Sequence, residues 1–258
     1  MKTLKIIKIG GNIIDDEAVL IDFLEQFSKL KEPKILVHGG GKLATRLAEQ
    51  MGVEVKMIDG RRVTDKDTLD IITMVYAGNI NKNIVAKLQG FHCNAIGLTG
   101  ADGNSIVSEK RPIHPIDFGY VGDVKKVNAS ILDKLIEAEA TPVFCAITHD
   151  ANGQLLNTNA DTIASELAKA FSNRYNVELY YCFEKKGVLK DVLDETSLIE
   201  TISSSVFQTL VDNGTISEGM LPKLSNCVAA VNHGVSKVCI GKPSMLFKTN
   251  VSFTTIIR

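Results

Sequence analysis

The sequence predicts an α/β protein with an open, mainly parallel central sheet that is covered by helices on both faces. Short β-rich runs alternate with helical patterns along most of the 258 residues, and this alternation is typical of parallel sheets. Two of the early β-rich runs end in glycine-rich turns. Because such sheets bind ligands at the carboxyl ends of their strands, we expect the functional site there.

The elements predicted before residue 65 are a βαβ unit, a further helix and a hairpin flap. The βαβ unit follows from apolar periodicity, and the flap from the turn dipeptide Asp59-Gly60 between two β-rich runs. In order, these elements are a strand at 4–9, a helix at 18–30, a strand at 34–37, a helix at 43–51 and hairpin strands at 55–58 and 62–64.

The βα alternation then continues to residue 173 and restarts beyond it, which predicts two lobes, at 1–173 and 174–258. In the first lobe we expect helices at 67–77 and 80–89, a strand at 94–98, an irregular β excursion at 104–127, a helix at 130–138, a strand at 142–147 and a helix at 161–171. In the second we expect a strand at 177–183, a helix at about 220–233 and strands at 237–240 and 251–257.

Composition excludes several classes of protein. The net charge is -1 and the pI is about 6.5, so no broad basic surface is available to nucleic acid. The five cysteines form no CxxC pair, which indicates a reducing compartment. No run is long and apolar enough for a membrane span or a signal peptide, so we expect a cytoplasmic protein without a membrane partner.

Two glycine-rich turns are candidate anion sites. The run KIGGN (8–12) places Lys8 at the end of the first strand, before two glycines whose backbone N–H groups can approach a phosphate. The run HGGGK (38–42) repeats this arrangement, and Gly41 opens a helix whose N-terminus favours negative charge. The alternative for the first run is a solvated lysine beside a tight turn. His38 is interpreted as a structural hydrogen-bonding residue.

The second turn also fits a nicotinamide-dinucleotide pattern. Residues Gly39 to Ala44 match G-x-G-x-x-A, and Asp59 lies about 20 residues further on. A nicotinamide-dependent oxidoreductase is therefore one alternative function. Against it, Asp59 lies in a hairpin turn. No Walker A sequence occurs, so an ATP site must be of another type.

Three further runs carry polar groups that are typical of ligand sites. GRRVT (60–64) places arginines on the flap, where Arg62 could hold a substrate carboxylate or could simply be exposed. In NTNAD (157–161), Asn159 or Asp161 could cap the following helix. GMLPK (219–223) places Lys223 in the first turn of a helix, where most lysines are solvated.

Taken in order, KIGGN, HGGGK, GRRVT, NTNAD and GMLPK resemble the amino-acid kinase superfamily and, within it, the acetylglutamate kinase family. The resemblance spans essentially the whole chain. It implies an amino-acid kinase-like, open αβα sandwich that forms a homodimer. It also implies an N-terminal lobe that binds the acyl-amino acid and forms the dimer, and a C-terminal lobe that binds ATP.

The resemblance also assigns roles. Lys8 and Lys223 would stabilise the transition state, and Asp161 would organise both. Gly10 and Gly11 would contact the transferring phosphoryl group. The acylglutamate would be bound by Gly40, Gly41, Arg62, Asn157 and Asn159. The nucleotide side would include Glu184, Gly187, Val188, Leu189, Ser217 and Gly219.

The sequence departs from the family pattern before the nucleotide turn. The family usually has Leu-Ser/Thr-Asp there, whereas this chain has Cys182-Phe183-Glu184.

The chemistry implied by the resemblance is consistent with these residues. A carboxylate acceptor is already ionised at neutral pH, so it needs no general base. It needs positive charge instead, from lysines, backbone N–H groups and Mg²⁺ held by the ATP phosphates. The expected acceptor is N-acetylglutamate or a close analogue such as N-succinylglutamate. The second alternative is a non-catalytic nucleotide- or anion-binding protein of the same fold.

Overall fold

The computed structural model describes residues 1–58, 60–191, 193–216 and 220–258. The strands in these ranges form three sheets. In chain order they are β1 (Thr3–Ile9), β2 (Lys34–His38), β3 (Met57–Ile58), β4 (Arg61–Arg62), β5 (Ala95–Leu98), β6 (Ile106–Lys110), β7 (Gly122–Val127), β8 (Thr141–Phe144), β9 (Ile147–His149), β10 (Leu155–Asn157), β11 (Asn176–Cys182), β12 (Thr201–Ser203), β13 (Lys237–Gly241) and β14 (Thr254–Ile257).

The α-helices alternate with these strands as the sequence predicts. In chain order they are α1 (Gly11–Asp15), α2 (Glu17–Ser28), α3 (Gly41–Gln50), α4 (Lys66–Thr73), α5 (Asn81–Gly90), α6 (Ala129–Glu137), α7 (Ala160–Phe171), α8 (Ser204–Asp212) and α9 (Leu221–Asn232). None of the helices in the described ranges is long and apolar enough to cross a membrane.

The central sheet has the strand order β12-β14-β13-β11-β1-β2-β8-β5. Neighbouring strands are parallel except for β13 and β14, which confirms the mainly parallel sheet. The strands numbered above 10 form one half of the sheet and the earlier strands the other half. The halves meet where β1 pairs with β11. The five residues of β2 are all buried.

The β excursion is more regular than expected. Strands β6 and β7 pair antiparallel and, with β9 and β10, form a second sheet of order β10-β9-β6-β7. The single strand predicted at 142–147 was wrong, because β8 belongs to the central sheet and β9 to the second one. Cys145 and Ala146, both buried, form the connection. Helices α1 and α8 and strand β12 were not predicted.

The two helices predicted at 67–77 and 80–89 are one continuous helical stretch. Residues Met74–Ile80 form a π-helical segment between α4 and α5. No proline interrupts this region. The helix takes up an additional residue within this segment by widening locally, as π segments do. The segment packs against the HGGGK turn: a Cβ atom placed on Gly40 would lie 2.2 Å from Ile80 Cδ1.

Candidate functional site

The carboxyl ends of β1, β2 and β11 meet at one edge of the sheet. In the register of these strands, Lys8 is opposite Val37 on β2 and Tyr181 on β11. The KIGGN turn, the HGGGK turn and the residues after β11 therefore leave the sheet side by side. This adjacency was expected for the first two turns, and the structure adds the end of β11 to it.

Lys8, Asp161 and Lys223 come together at this edge. Lys8 Nζ lies 2.8 Å from Asp161 Oδ1, and Lys223 Nζ lies 3.4 Å from Asp161 Oδ2. Their side chains are only 16%, 20% and 24% exposed, respectively. One carboxylate thus bridges two cations, one from strand β1 and one from helix α9. Lys223 is not the solvated lysine of the alternative interpretation.

The local structure of α7 leaves Asp161 free for this role. Asn159 is the N-cap, and its Oδ1 accepts hydrogen bonds from the backbone N–H groups of Asp161 and Thr162 at 2.7 and 3.2 Å. Burial alone would raise the pKa of Asp161, but the charges of Lys8 and Lys223 outweigh it and hold that pKa below its usual value. Asp161 is therefore an anion that is compensated by two lysines.

The KIGGN turn lies directly against this cluster. A Cβ atom on Gly10 would be 3.2 Å from Lys8 Nζ, so glycine lets the backbone approach the ammonium closely. Gly11 begins the short helix α1. Next to it, Lys42 of the HGGGK turn donates to Asn12 Oδ1 at 3.0 Å, which joins the two glycine-rich turns. The two glycine-rich turns and the Lys8 ammonium group are therefore neighbours.

Arg62 is buried and not exposed on the flap. Its Nη2 donates to the backbone oxygen of Gly41 at 3.0 Å and to Thr45 Oγ1 at 2.8 Å, so the flap is held over the start of α3. Its Nη1 is buried and has no hydrogen-bond partner among the described residues. A guanidinium N–H that is shielded from water needs an acceptor, and a carboxylate is the acceptor that it binds best.

His38 has the structural role predicted for it. Its Nδ1–H donates to the Gly39 backbone oxygen at 2.8 Å, and Nε2 accepts from Asn81 Nδ2 at 3.0 Å. Complete burial lowers the pKa of His38 to about 4. The ring is therefore neutral, and it fixes the backbone at the start of the HGGGK turn.

Asn157 lies at the end of β10, between the flap and α7. Its Nδ2 donates to Thr64 Oγ1 at 2.9 Å, and its backbone N–H donates to the Tyr120 oxygen at 2.8 Å. Asn157 thus connects the flap to the second sheet. Substrate binding by Asn157 and Asn159 stays a prediction.

The residues predicted on the nucleotide side divide into three groups. Glu184 is exposed. The run Gly187 to Leu189 packs against β14: Val188 N–H donates to Thr254 Oγ1 at 2.8 Å, and a Cβ on Gly187 would lie 2.5 Å from that same oxygen. These are packing contacts within the protein. Contact of this turn with a nucleotide stays a prediction. Ser217 and Gly219, like Asp59 of the flap, lie outside the described residues.

Two aromatic residues beside Lys223 were not predicted as part of the site. Lys223 Nζ lies 5.7 Å from the centre of the Tyr181 ring and 5.3 Å from the centre of the Phe183 ring. Tyr181 also donates its hydroxyl to the backbone oxygen of Asp161 at 3.0 Å. The departure from the family pattern at Phe183 was visible, but its contact with Lys223 depends on the sheet order.

Comparison with known proteins gives a consistent set of relatives. The sequence profile of the amino acid kinase family matches residues 3–242. A protein of Cytophaga hutchinsonii named acetylglutamate kinase is 56% identical over 93% of this chain and 91% of its own. A Phocaeicola vulgatus protein of the same name is 54% identical over 99% and 98%. The crystal structure of smu.665 from Streptococcus mutans is 28% identical, covers 98% of both chains and has a TM-score of 0.80.

Proposed function

This chain belongs to the amino acid kinase family, and on that premise we propose that it transfers the γ-phosphoryl group of ATP to the side-chain carboxylate of N-acetylglutamate. The product is an acyl phosphate, and the reaction is a step of arginine biosynthesis. The relatives with more than half of their residues identical carry the name acetylglutamate kinase, which supports this acceptor.

The observation that carries the proposal is the pair of ammonium groups on Asp161. Lys8 comes from β1 and Lys223 from α9, and both contact the same carboxylate. Two anions must approach each other in this reaction, and charge spreads over the equatorial phosphoryl oxygens in the transition state. Lysines fixed in advance stabilise that charge without reorganising.

The bond changes need no protein base. A γ-carboxylate oxygen of the acceptor attacks Pγ, the bond between Pγ and the bridging oxygen breaks, and ADP leaves with the electron pair. The acceptor is ionised at neutral pH, so no proton has to be removed. A neutral, fully hydrogen-bonded His38 is consistent with this chemistry.

Arg62 supports the acceptor side of the proposal. Its buried Nη1, which has no partner in the part of the chain that the structure describes, can donate to a carboxylate of the acylglutamate. Gly40 and Gly41 lie next to it, since Arg62 already bonds the Gly41 oxygen. Asn157 at the end of β10 and Asn159 at the N-cap of α7 complete the set that we assign to this end of the site. We assign this end to the acylglutamate.

The strand order supports a division of labour between lobes. Residues 1–173 contribute β1, β2, β8 and β5, and residues 174–258 contribute β11, β13, β14 and β12. We assign the acylglutamate to the first lobe and ATP to the second, with Gly10 and Gly11 facing the phosphoryl group between them. Assembly as a homodimer, through the first lobe, is part of the same proposal.

Magnesium would enter with ATP. The carboxylate at the site, Asp161, is already engaged by two lysines. The described residues contain no group of three or more histidine, cysteine, aspartate or glutamate side chains that could hold a metal ion. When bound to the ATP phosphates, Mg²⁺ neutralises part of their charge.

Trapping the acyl phosphate tests the proposal. The protein is incubated with ATP, Mg²⁺ and N-acetylglutamate in the presence of hydroxylamine, which displaces phosphate from an acyl phosphate to give a hydroxamate. Ferric iron added afterwards forms a coloured complex with the hydroxamate. We expect hydroxamate and ADP in equal amounts, and none with unacylated glutamate. N-succinylglutamate in the same assay determines which acyl group is preferred. ATP consumption without hydroxamate, or tight binding of NAD in place of ATP, would contradict the proposal and favour one of the alternatives.

A further inference from the structure

Lys223 has two aromatic neighbours that no assignment above explains. The faces of Tyr181 and Phe183 lie 5.7 and 5.3 Å from its Nζ, within the range of a cation–π contact. The third neighbour is Asp161, whose Oδ2 lies 3.4 Å away. The ammonium group is thus surrounded by one carboxylate and two aromatic rings.

The contact of Lys223 with Asp161 is the longer of the two lysine contacts at this carboxylate. Its distance of 3.4 Å exceeds the 2.8 Å between Lys8 and the same carboxylate. A lysine side chain has a flexible four-carbon stem, and fixing it costs conformational entropy. A second contact that restrains the Lys223 side chain would lower this entropy cost and keep its ammonium in place before the phosphoryl group moves.

The side chain of Tyr181 and the backbone of Phe183 are themselves held in place. Tyr181 is 1% exposed, and its hydroxyl donates to the backbone oxygen of Asp161 at 3.0 Å. Phe183 directly follows β11, and its backbone N–H donates to the Gly241 oxygen at 3.0 Å. The Tyr181 ring and the backbone that carries the Phe183 ring are therefore held beside the Lys223 ammonium.

An aromatic face has a property that a second carboxylate lacks. It attracts a cation through its quadrupole without neutralising the charge. A second acidic residue at position 183 would orient Lys223 but would also cancel the charge that the phosphoryl oxygens require.

We propose that Phe183, together with Tyr181, is a positioning residue that holds Lys223 toward the transferring phosphoryl group through cation–π contact. This inference rests on the proposed phosphoryl transfer. It gives a specific role to the position at which the sequence departs from the family pattern. Neither ring touches the substrate in this role; each acts through Lys223.

A fluorination series at Phe183 tests the inference with little change in size. Phenylalanine is replaced by its mono-, di- and trifluorinated analogues, which progressively weaken the ring quadrupole. We expect log kcat for hydroxamate formation to fall stepwise, by about 3- to 30-fold in total, the range that a cation–π contact is worth. KM for ATP should change little. Phe183→Leu should lose a similar factor in kcat. Phe183→Tyr, which keeps an aromatic ring, should retain the kcat of the unsubstituted protein.

The control is the same series at Phe91, which follows α5 and is half-buried; kcat should not respond there. A flat series at Phe183, with the unsubstituted protein active, would overturn the inference and leave the proposed function standing.

A second readout does not depend on activity. Lysines are methylated reductively with a ¹³C label, and the Lys223 signal is identified by its loss in Lys223→Arg. Ring currents should shift this signal upfield, and Phe183→Leu should move it back. An unchanged signal would show that the contact is absent, and the inference would then fail even if no acyl phosphate forms.

Discussion

Lys8 at the end of β1 and Asp161 in the first turn of α7 form a partly buried ion pair, with 2.8 Å between Nζ and Oδ1. Asn159 performs the capping of α7, so Asp161 is not needed for that purpose. The other oxygen of the same carboxylate lies near Lys223. The arrangement keeps two like charges close together at the edge where the glycine-rich turns leave the sheet.

Replacement of Asp161 by asparagine should lower kcat while the KM values change little. The amide no longer offsets the repulsion between Lys8 and Lys223, so both ammonium groups lose their direction, and the loss falls on the transition state. A decrease on the order of 100-fold is expected. The measurement is steady-state hydroxamate formation. Asp22→Asn, an exposed change on α2, is the matched control, and an equal loss in both variants would contradict the role of Asp161.

Arg62→Ala should weaken binding of the acylglutamate and leave ATP binding nearly intact. One charge-assisted hydrogen bond is worth about 1.5–3 kcal/mol, which corresponds to roughly 10- to 100-fold in KM for the acceptor. Arg61→Ala is the control, because Arg61 is on the same strand but exposed. Initial rates with each substrate varied in turn separate the effects. A larger rise in KM for ATP than for the acylglutamate would remove Arg62 from the acceptor site.

Gly40→Ala should destabilise the protein, whereas Gly39→Ala should not. The φ of Gly40 is 155°, and a Cβ there would lie 2.2 Å from Ile80 Cδ1. By contrast, no atom of the described residues lies within 4 Å of a Cβ on Gly39. We expect a loss of about 1–3 kcal/mol for Gly40→Ala. Denaturant unfolding of the two variants measures this difference, and equal stabilities would show that the π-helical segment does not pack as described.

The stability of the protein should fall between pH 6.5 and 4 partly because of His38. Burial lowers the pKa of His38 from 6.5 to about 4, so in this window the unfolded chain binds a proton that the folded chain does not. Lowering the pH then favours unfolding, with a slope of up to about 1.4 kcal/mol per pH unit from this one group. His38→Asn should flatten the pH dependence of the unfolding free energy, although its stability is lower throughout. His92→Asn, at an exposed position, should leave the slope unchanged, and identical slopes in all three proteins would contradict the assignment.

Local sequence patterns predicted the parts of the site that depend on strand ends and turns. The positions of Lys8, His38 and Asp161 follow from where a strand stops or a helix starts, and such boundaries are encoded locally. The contact of Phe183 with Lys223 was not predictable, because it requires β11 to lie between β1 and β13, and this order depends on pairing between distant segments.

The errors in the predicted fold have the same cause, since local patterns do not show how segments join or pair. Two separate helices were predicted at 67–77 and 80–89, because periodicity does not show that a π segment such as Met74–Ile80 joins them. The run 142–147 is uniformly apolar, so the pattern contained no sign that β8 and β9 enter different sheets.

The most direct test of the account is a double-mutant cycle for kcat with Lys8→Met, Asp161→Asn and the combined variant. Lys8→Met alone should lose on the order of 10² to 10³ in kcat, and Lys29→Met, an exposed change of equal charge, should lose nothing. If Lys8, Asp161 and Lys223 act as one unit, the combined variant will be less impaired than the product of the two single losses, because the second change removes a contact that the first has already disturbed. Losses that multiply strictly, or a normal kcat in Lys8→Met, would contradict the account.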